Sequence, residues 1–161
     1  MEPIERVRQY LSAFGQQDRI IETAASSATV EDAARALGTE PAHIAKTMAF
    51  LVQDKPILIV AAGDVKIDNH KYKQEFSCKA HMIPGSEVEA LVGYAPGGVC
   101  PYAVNEGVTV YLDVSLRRFD VVYPAAGNAN SGVKQSIEDL ERTTGYKRWV
   151  DVCKPMEERG A

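Results

Sequence analysis

The segment spanning residues 93–101 has the composition of a loop that could hold a ligand. It contains three glycines and two prolines in nine residues, which excludes the interior of a helix or of a central strand. Because glycine has no Cβ, the amides of Gly97 and Gly98 can approach a ligand closely, as a carbonyl, carboxylate or phosphate requires. Taken alone, the segment is equally consistent with a tight turn between two elements.

Lys46 is a second residue that could do chemistry. It stands between the apolar pairs Ile44-Ala45 and Met48-Ala49, with only Thr47 as a polar neighbour. A lysine in such surroundings either extends its ammonium group to the surface or directs it at an anion. Extension to the surface is the commoner outcome for a lysine chosen without other information.

The remaining candidates for chemistry give weaker signals. Cys100 could be a thiolate nucleophile, but that chemistry needs a lowered pKa, usually supplied by a histidine, and the nearest in sequence is His81. A buried, unreactive thiol is the favoured interpretation. Asp113 could be a base or a turn residue. The three histidines lack the HExxH spacing, so we expect no metal site.

The composition describes an ordinary globular protein. The chain has 161 residues, of which 45% are hydrophobic and 25% charged, and no linker divides it, so we expect one domain over residues 1–161. The three cysteines form no CxxC pair, which favours a reducing, cytoplasmic compartment. The N-terminus resembles no signal peptide and the apolar runs are too short to span a bilayer, so no membrane partner is expected.

The net charge of −4 provides no global attraction to nucleic acid, and we expect no DNA partner. Any contact with RNA would need a local basic patch. The best candidate lies between residues 66 and 79, where acidic residues dilute four lysines; a solvated surface is the favoured interpretation. The lysines are Lys66, Lys71, Lys73 and Lys79, and the acids are Asp64, Asp68 and Glu75.

The pattern of apolar residues and caps predicts irregularly alternating helices and strands. Thr29 caps a helix that Gly38 ends, and Thr39 opens a second helix that carries Lys46 to the start of a strand. A hairpin among the strands indicates a mixed sheet within an α/β fold. We expect helices over residues 4–14, 30–37, 69–76, 88–91 and 136–144, strands over 19–23, 48–52, 57–62, 108–112, 120–123 and 149–152, and a frayed tail over 154–161.

Five short motifs occur in a familiar order, and together they resemble the YbaK/EbsC family, also called the prolyl-tRNA-synthetase-associated domain. The motifs cover residues 29–34, 44–47, 93–101, 112–113 and 126–128, and the resemblance extends over a core of about residues 20–152. It implies a single α/β domain built on a mixed, barrel-like sheet surrounded by helices. It also implies deacylation of mischarged aminoacyl-tRNA, the hydrolysis of the ester between a wrong amino acid and the terminal adenosine.

The resemblance assigns roles to particular residues. Lys46 matches the functional lysine, which would hold phosphate or ribose at the tRNA 3′ end and keep the ester in place. Cys100 falls where relatives often carry a small polar residue, so it receives no nucleophilic role. We predict substrate contact in the glycine loop and in a second small-residue loop, at Gly93, Tyr94, Gly97, Gly98, Val99, Cys100, Pro101, Gly127 and Asn128.

The resemblance also implies catalysis by positioning and electrostatics, without cofactor or metal, on small amino acids such as alanine, serine or cysteine. The expected partners are the tRNA 3′ end and an aminoacyl-tRNA synthetase. Two alternatives stay open. The first is a non-catalytic adaptor that binds tRNA ends or a synthetase, and the second is a hydrolase or transferase that uses Cys100.

Overall fold

A computed structural model describes residues 1–156. The helices are α1 (Pro3–Ser12), α2 (Val30–Leu37), α3 (Asn69–Phe76), α4 (Gly85–Val92) and α5 (Ile137–Thr143). The strands are β1 (Ile20–Glu22), β2 (Ala45–Val52), β3 (Lys55–Ala62), β4 (Val65–Ile67), β5 (Thr109–Asp113), β6 (Val121–Val122), β7 (Ser131–Val133), β8 (Gln135–Ser136), β9 (Trp149–Val150) and β10 (Cys153–Pro155). Short 3₁₀ turns cover Gln17–Arg19, Pro41–His43 and Val114–Arg118.

The largest sheet is mixed and has the strand order β2-β3-β5-β9. Strands β2 and β3 form an antiparallel hairpin, while β5 runs parallel to both β3 and β9. The predicted mixed α/β architecture is therefore confirmed. The other strands pair as β1 with β7, β4 with β10 and β6 with β8, and across residues 1–156 these pairs do not close into a barrel.

Strand β3 is the centre of the core because it has paired neighbours on both edges. Its residues from Ile57 to Ala62 are all buried, which explains why the strand reads as a continuous apolar run. The hairpin turn before it contains Gln53 and Asp54 with φ of 51° and 65°. Two left-handed residues are what a two-residue hairpin turn requires.

Several local predictions are confirmed at the level of single hydrogen bonds. The Thr29 hydroxyl accepts from the backbone N–H of Asp32 at the start of α2, and Gly38 ends that helix with φ of 70°. The Asp68 carboxylate caps α3, and Ser136 begins α5 with a capping box that includes Asp139.

The helix predicted from Thr39 is wrong. Only the 3₁₀ turn Pro41–His43 forms, because the backbone from Ala45 onwards pairs with β3 at positions 60 to 62. Lys46 therefore lies within a strand, opposite Ala61, and not at a junction between a helix and a strand.

Most other boundaries agree with the prediction to within two residues, and two further ones differ by more. Helix α4 begins at Gly85, before the expected residue 88. The tail is ordered as far as β10, which pairs with β4, so fraying does not begin at Lys154. The rest of the predicted tail, residues 157–161, lies outside the described residues. Among residues 1–156 no helix has both the length and the apolar character needed to cross a membrane.

Candidate functional site

A cavity of about 160 Å³ opens where α2, the first residues of β2 and the glycine loop meet. Its wall is mostly apolar, with a few polar groups from three separate segments. The residues that line it include Ser27, Lys46, Thr47, Gly97, Val99, Tyr123 and Ser131.

Lys46 contributes the positive charge of the cavity wall. Its side chain is half-buried and its Nζ donates a hydrogen bond to the carbonyl oxygen of Val65. An ammonium group has three donors, so two N–H groups remain for a ligand. Burial lowers the pKa of Lys46, while the nearby Cys153, Asp64 and Glu31 oppose that shift and favour the ammonium form.

The hydroxyl groups around the cavity differ in whether they already have hydrogen-bond partners. The Ser27 hydroxyl donates to the Ser131 carbonyl at 3.2 Å and accepts from the Ser131 N–H at 2.9 Å, while the Ser131 hydroxyl accepts from the Ala126 N–H at 3.2 Å. The Thr47 hydroxyl is buried and has no hydrogen-bond partner among the described residues. A buried hydroxyl without a partner costs free energy, and because the Thr47 oxygen is closed to solvent it is not itself a contact for a ligand.

The glycine loop reaches the cavity through Gly97 and Val99. Gly97 has φ of 91°, a conformation that favours glycine. Gly98 is packed against the second loop: a Cβ there would lie 2.5 Å from the carbonyl oxygen of Gly127 and 2.8 Å from the Cα of Asn128. The two loops that the sequence analysis singled out are therefore in direct backbone contact.

Helix α1 contacts the start of the glycine loop through the side chain of Arg6. The Arg6 guanidinium lies 4.5 Å from the ring centroid of Tyr94 and donates to the carbonyl of Gly93. The Tyr94 hydroxyl in turn donates to the carbonyl of Tyr102. Burial raises the pKa of Tyr94, which keeps the phenol neutral as a donor.

Of the predicted contact residues, Lys46, Gly97 and Val99 line the cavity, whereas Gly98, Gly127 and Asn128 support its rim. Gly93, Tyr94, Cys100 and Pro101 lie outside the wall. The Cys100 thiol is fully buried and its burial raises its pKa to about 12, which opposes the interpretation as a thiolate nucleophile.

Asp113 has a structural role. Its carboxylate is buried and accepts from the N–H groups of Ser115 at 2.9 Å and Val152 at 3.0 Å. Both oxygens are therefore committed to the backbone, which favours the turn interpretation over that of a base.

Sequence reasoning gave no contact role to several polar or aromatic residues of the wall, among them Ser27, Thr47 and Tyr123. Thr47 could have been found from its position beside Lys46. Ser27 and Tyr123 carry no local signal, because each reaches the cavity only through long-range pairing: Ser27 with Ser131 at the start of β7, and Tyr123 beside Ile44.

Comparison with known proteins gives consistent matches along most of the chain. The family model for the aminoacyl-tRNA editing domain matches residues 24–143. The uncharacterized protein YwhH of Bacillus subtilis (strain 168) is 43% identical over 96% of this chain and 99% of its own length. A proline–tRNA ligase of Limosilactobacillus fermentum is 29% identical over 65% of this chain, but the match spans only 19% of the ligase.

A crystal structure of a candidate trans-editing enzyme for prolyl-tRNA synthetase superposes with a TM-score of 0.85 at 26% identity. That match covers 96% of this chain and 98% of the other. The likeness therefore extends over whole chains of similar length, in addition to a segment of much longer ligases.

Proposed function

The chain belongs to the aminoacyl-tRNA editing domain family, and on that premise we propose that it hydrolyses mischarged aminoacyl-tRNA in trans. The resemblance to the YbaK/EbsC family deduced from five motifs is thereby confirmed. Action in trans is supported by the whole-chain likeness to YwhH and to a candidate trans-editing enzyme. The proline–tRNA ligases, which match over about a fifth of their length, point to prolyl-tRNA synthetase as the synthetase partner.

The observation that carries the proposal is the half-buried ammonium of Lys46 in the wall of a small cavity whose rim is glycine backbone. Its two free N–H donors fit the phosphate or ribose oxygens at the tRNA 3′ end. The N–H of Gly97 supplies a donor toward the oxygen that gains charge as the ester reacts, whereas the Gly98 N–H already donates to the Ala95 carbonyl at 3.0 Å.

The reaction needs no covalent intermediate. Water adds to the ester carbonyl carbon, and the bond from that carbon to the ribose oxygen then breaks. The ribose oxygen takes up one proton of the water, and the other is released to solvent as the amino acid leaves as a carboxylate. In this scheme Lys46 holds the ribose end while the Gly97 amide holds the carbonyl end, so the protein contributes orientation and charge stabilisation.

The size of the cavity supports small acyl groups as substrates. Its volume of about 160 Å³ is close to that of an engineered cavity, roughly 150 Å³, that holds benzene, but here the space must hold the α-amino group and the ester as well as the side chain. The space that remains fits side chains of the size of alanine, serine and cysteine.

The test is release of amino acid under multiple turnover from tRNAs charged with alanine, serine, cysteine, leucine or phenylalanine. We expect release of the three small residues well above the buffer control and little release of the two large ones. Equal release of all five would refute the size argument. If none is released but the uncharged tRNA binds, the proposal fails and the adaptor interpretation replaces it.

A further inference from the structure

We propose that the two-stranded ribbon of β4 and β10 binds the phosphate backbone of the tRNA acceptor stem, an inference that rests on the proposed function. The ribbon pairs Val65 with Pro155, Lys66 with Lys154 and Ile67 with Cys153. It lies beside the cavity. Its second strand, β10, forms where the sequence predicts the start of a frayed tail.

The register places two lysines directly opposite each other. Residues opposite in an antiparallel pair share a face of the ribbon, so Lys66 and Lys154 point the same way, while Val65 and Cys153 are buried on the other face. Neither lysine has an ion-pair partner within residues 1–156. Opposed like charges destabilise a strand pair, and a bound polyanion would remove that cost.

The acidic residues that dilute this patch in the sequence are already engaged. Asp68 caps α3 by accepting from the N–H groups of His70 and Lys71, although it still lies near enough to Lys154 for that ammonium to help lower its pKa. The other two form ion pairs, Asp64 with Arg118 (2.5 Å) and Glu75 with Arg148 (3.2 Å), and the neighbouring Asp151 pairs with Lys71 (3.1 Å). Lys66 and Lys154 thus keep their charge available for an external anion.

The position of the ribbon fits an RNA whose end enters the cavity. The Lys46 ammonium donates to the carbonyl of Val65, and Cys153 is close enough to affect its pKa. The residues that follow these two in the chain are Lys66 and Lys154. A phosphate backbone lying on the ribbon therefore continues directly to the lysine that we assign to the 3′ end.

The experiment uses a fluorescein-labelled, unacylated RNA hairpin with the acceptor-stem sequence and a CCA end, with binding followed by anisotropy from 50 to 200 mM salt. Each phosphate contact contributes a slope of about −0.9 to log K against log[salt] on duplex DNA. The double variant Lys66→Gln/Lys154→Gln should therefore have a slope shallower by about 2, and each single variant by about 1.

Lys55→Gln is the matched control. Lys55 is exposed and lies at the turn end of the hairpin, opposite Val52, six residues along β2 from Lys46 and so about 20 Å away. It should bind like the wild type. The proposal is overturned if the ribbon variants bind with the wild-type slope, if Lys55→Gln reduces the slope equally, or if the wild type does not bind the hairpin.

Folding and function are checked separately. Removing opposed charges should leave the melting temperature unchanged or higher, so weak binding by a ribbon variant cannot be attributed to unfolding. The binding assay needs no hydrolysis, so failure of the proposed deacylation shows only in the release assay, while failure of the ribbon shows only in the salt slope.

Discussion

Gly98→Ala tests whether the contact between the two loops determines the shape of the site. A methyl group at residue 98 would lie 2.5 Å from the carbonyl oxygen of Gly127 and 2.7 Å from its carbonyl carbon. Both are backbone atoms, which cannot rotate away. An ordinary contact begins near 3.4 Å, so the loops must separate by about 0.9 Å.

The size of the effect follows from that displacement. Overpacking of this kind costs about 1–3 kcal/mol, which for a domain of this length lowers the melting temperature by roughly 2–12 °C. A misplacement of about 1 Å can lower the rate of an enzyme on the order of 100-fold. We therefore expect kcat/KM for deacylation to fall about 100-fold at a temperature where the variant is still folded.

The assay pairs thermal unfolding with deacylation of alanyl-tRNA, and Gly85→Ala is the control. Gly85 has ordinary φ, begins α4, and a Cβ there meets only Pro96 at 3.6 Å. Alanine at residue 85 should be neutral or stabilise the helix by up to about 1 kcal/mol. If Gly98→Ala has the same melting temperature and the same kcat/KM as Gly85→Ala, the contact between the two loops does not determine the shape of the site.

Three further predictions concern buried polar groups. Asp113→Ala removes two buried hydrogen bonds to a carboxylate and should cost about 3 kcal/mol or more in urea unfolding, with Asp113→Asn intermediate; a cost under about 1 kcal/mol would contradict this. Because burial lowers the pKa of Lys46, the folded protein loses this proton before the unfolded chain does, so wild-type stability should gain on that of Lys46→Met as pH rises from the lowered pKa towards 10.5; a stability difference that does not change with pH would refute it. Burial raises the pKa values of Cys100 and Cys153 to about 12, so iodoacetamide at neutral pH should label only the half-buried Cys78 of the native protein by mass spectrometry, and labelling of Cys100 with loss of activity would restore the cysteine mechanism.

Local chemistry made much of the fold predictable. The Thr29 cap, the Gly38 terminus and the Ser136 cap each depend on residues within a few positions, and each forms as expected. The segment from Thr39 misled the prediction because a good first turn at Pro41 does not reveal that the next residues pair with β3. Tertiary pairing overrode local preference there.

The site was predictable where a motif carried it and not where distant segments built it. Lys46 and Gly97 were found from their residue types and the family resemblance, and both line the cavity. The contact of Arg6 with Gly93 spans 87 positions along the chain, and Ser27 meets Ser131 across 104. No pattern within one segment encodes such contacts.

The most direct test of the central proposal is the rate of amino-acid release from mischarged tRNA by wild type and by Lys46→Met, measured under multiple turnover at a temperature where both are folded. The account predicts many turnovers for wild type, release at the buffer rate for Lys46→Met, and unimpaired activity for the control Lys55→Gln. Release by Lys46→Met at the wild-type rate would contradict the role given to the ammonium group. Absence of release by the wild type would contradict the proposed deacylase activity.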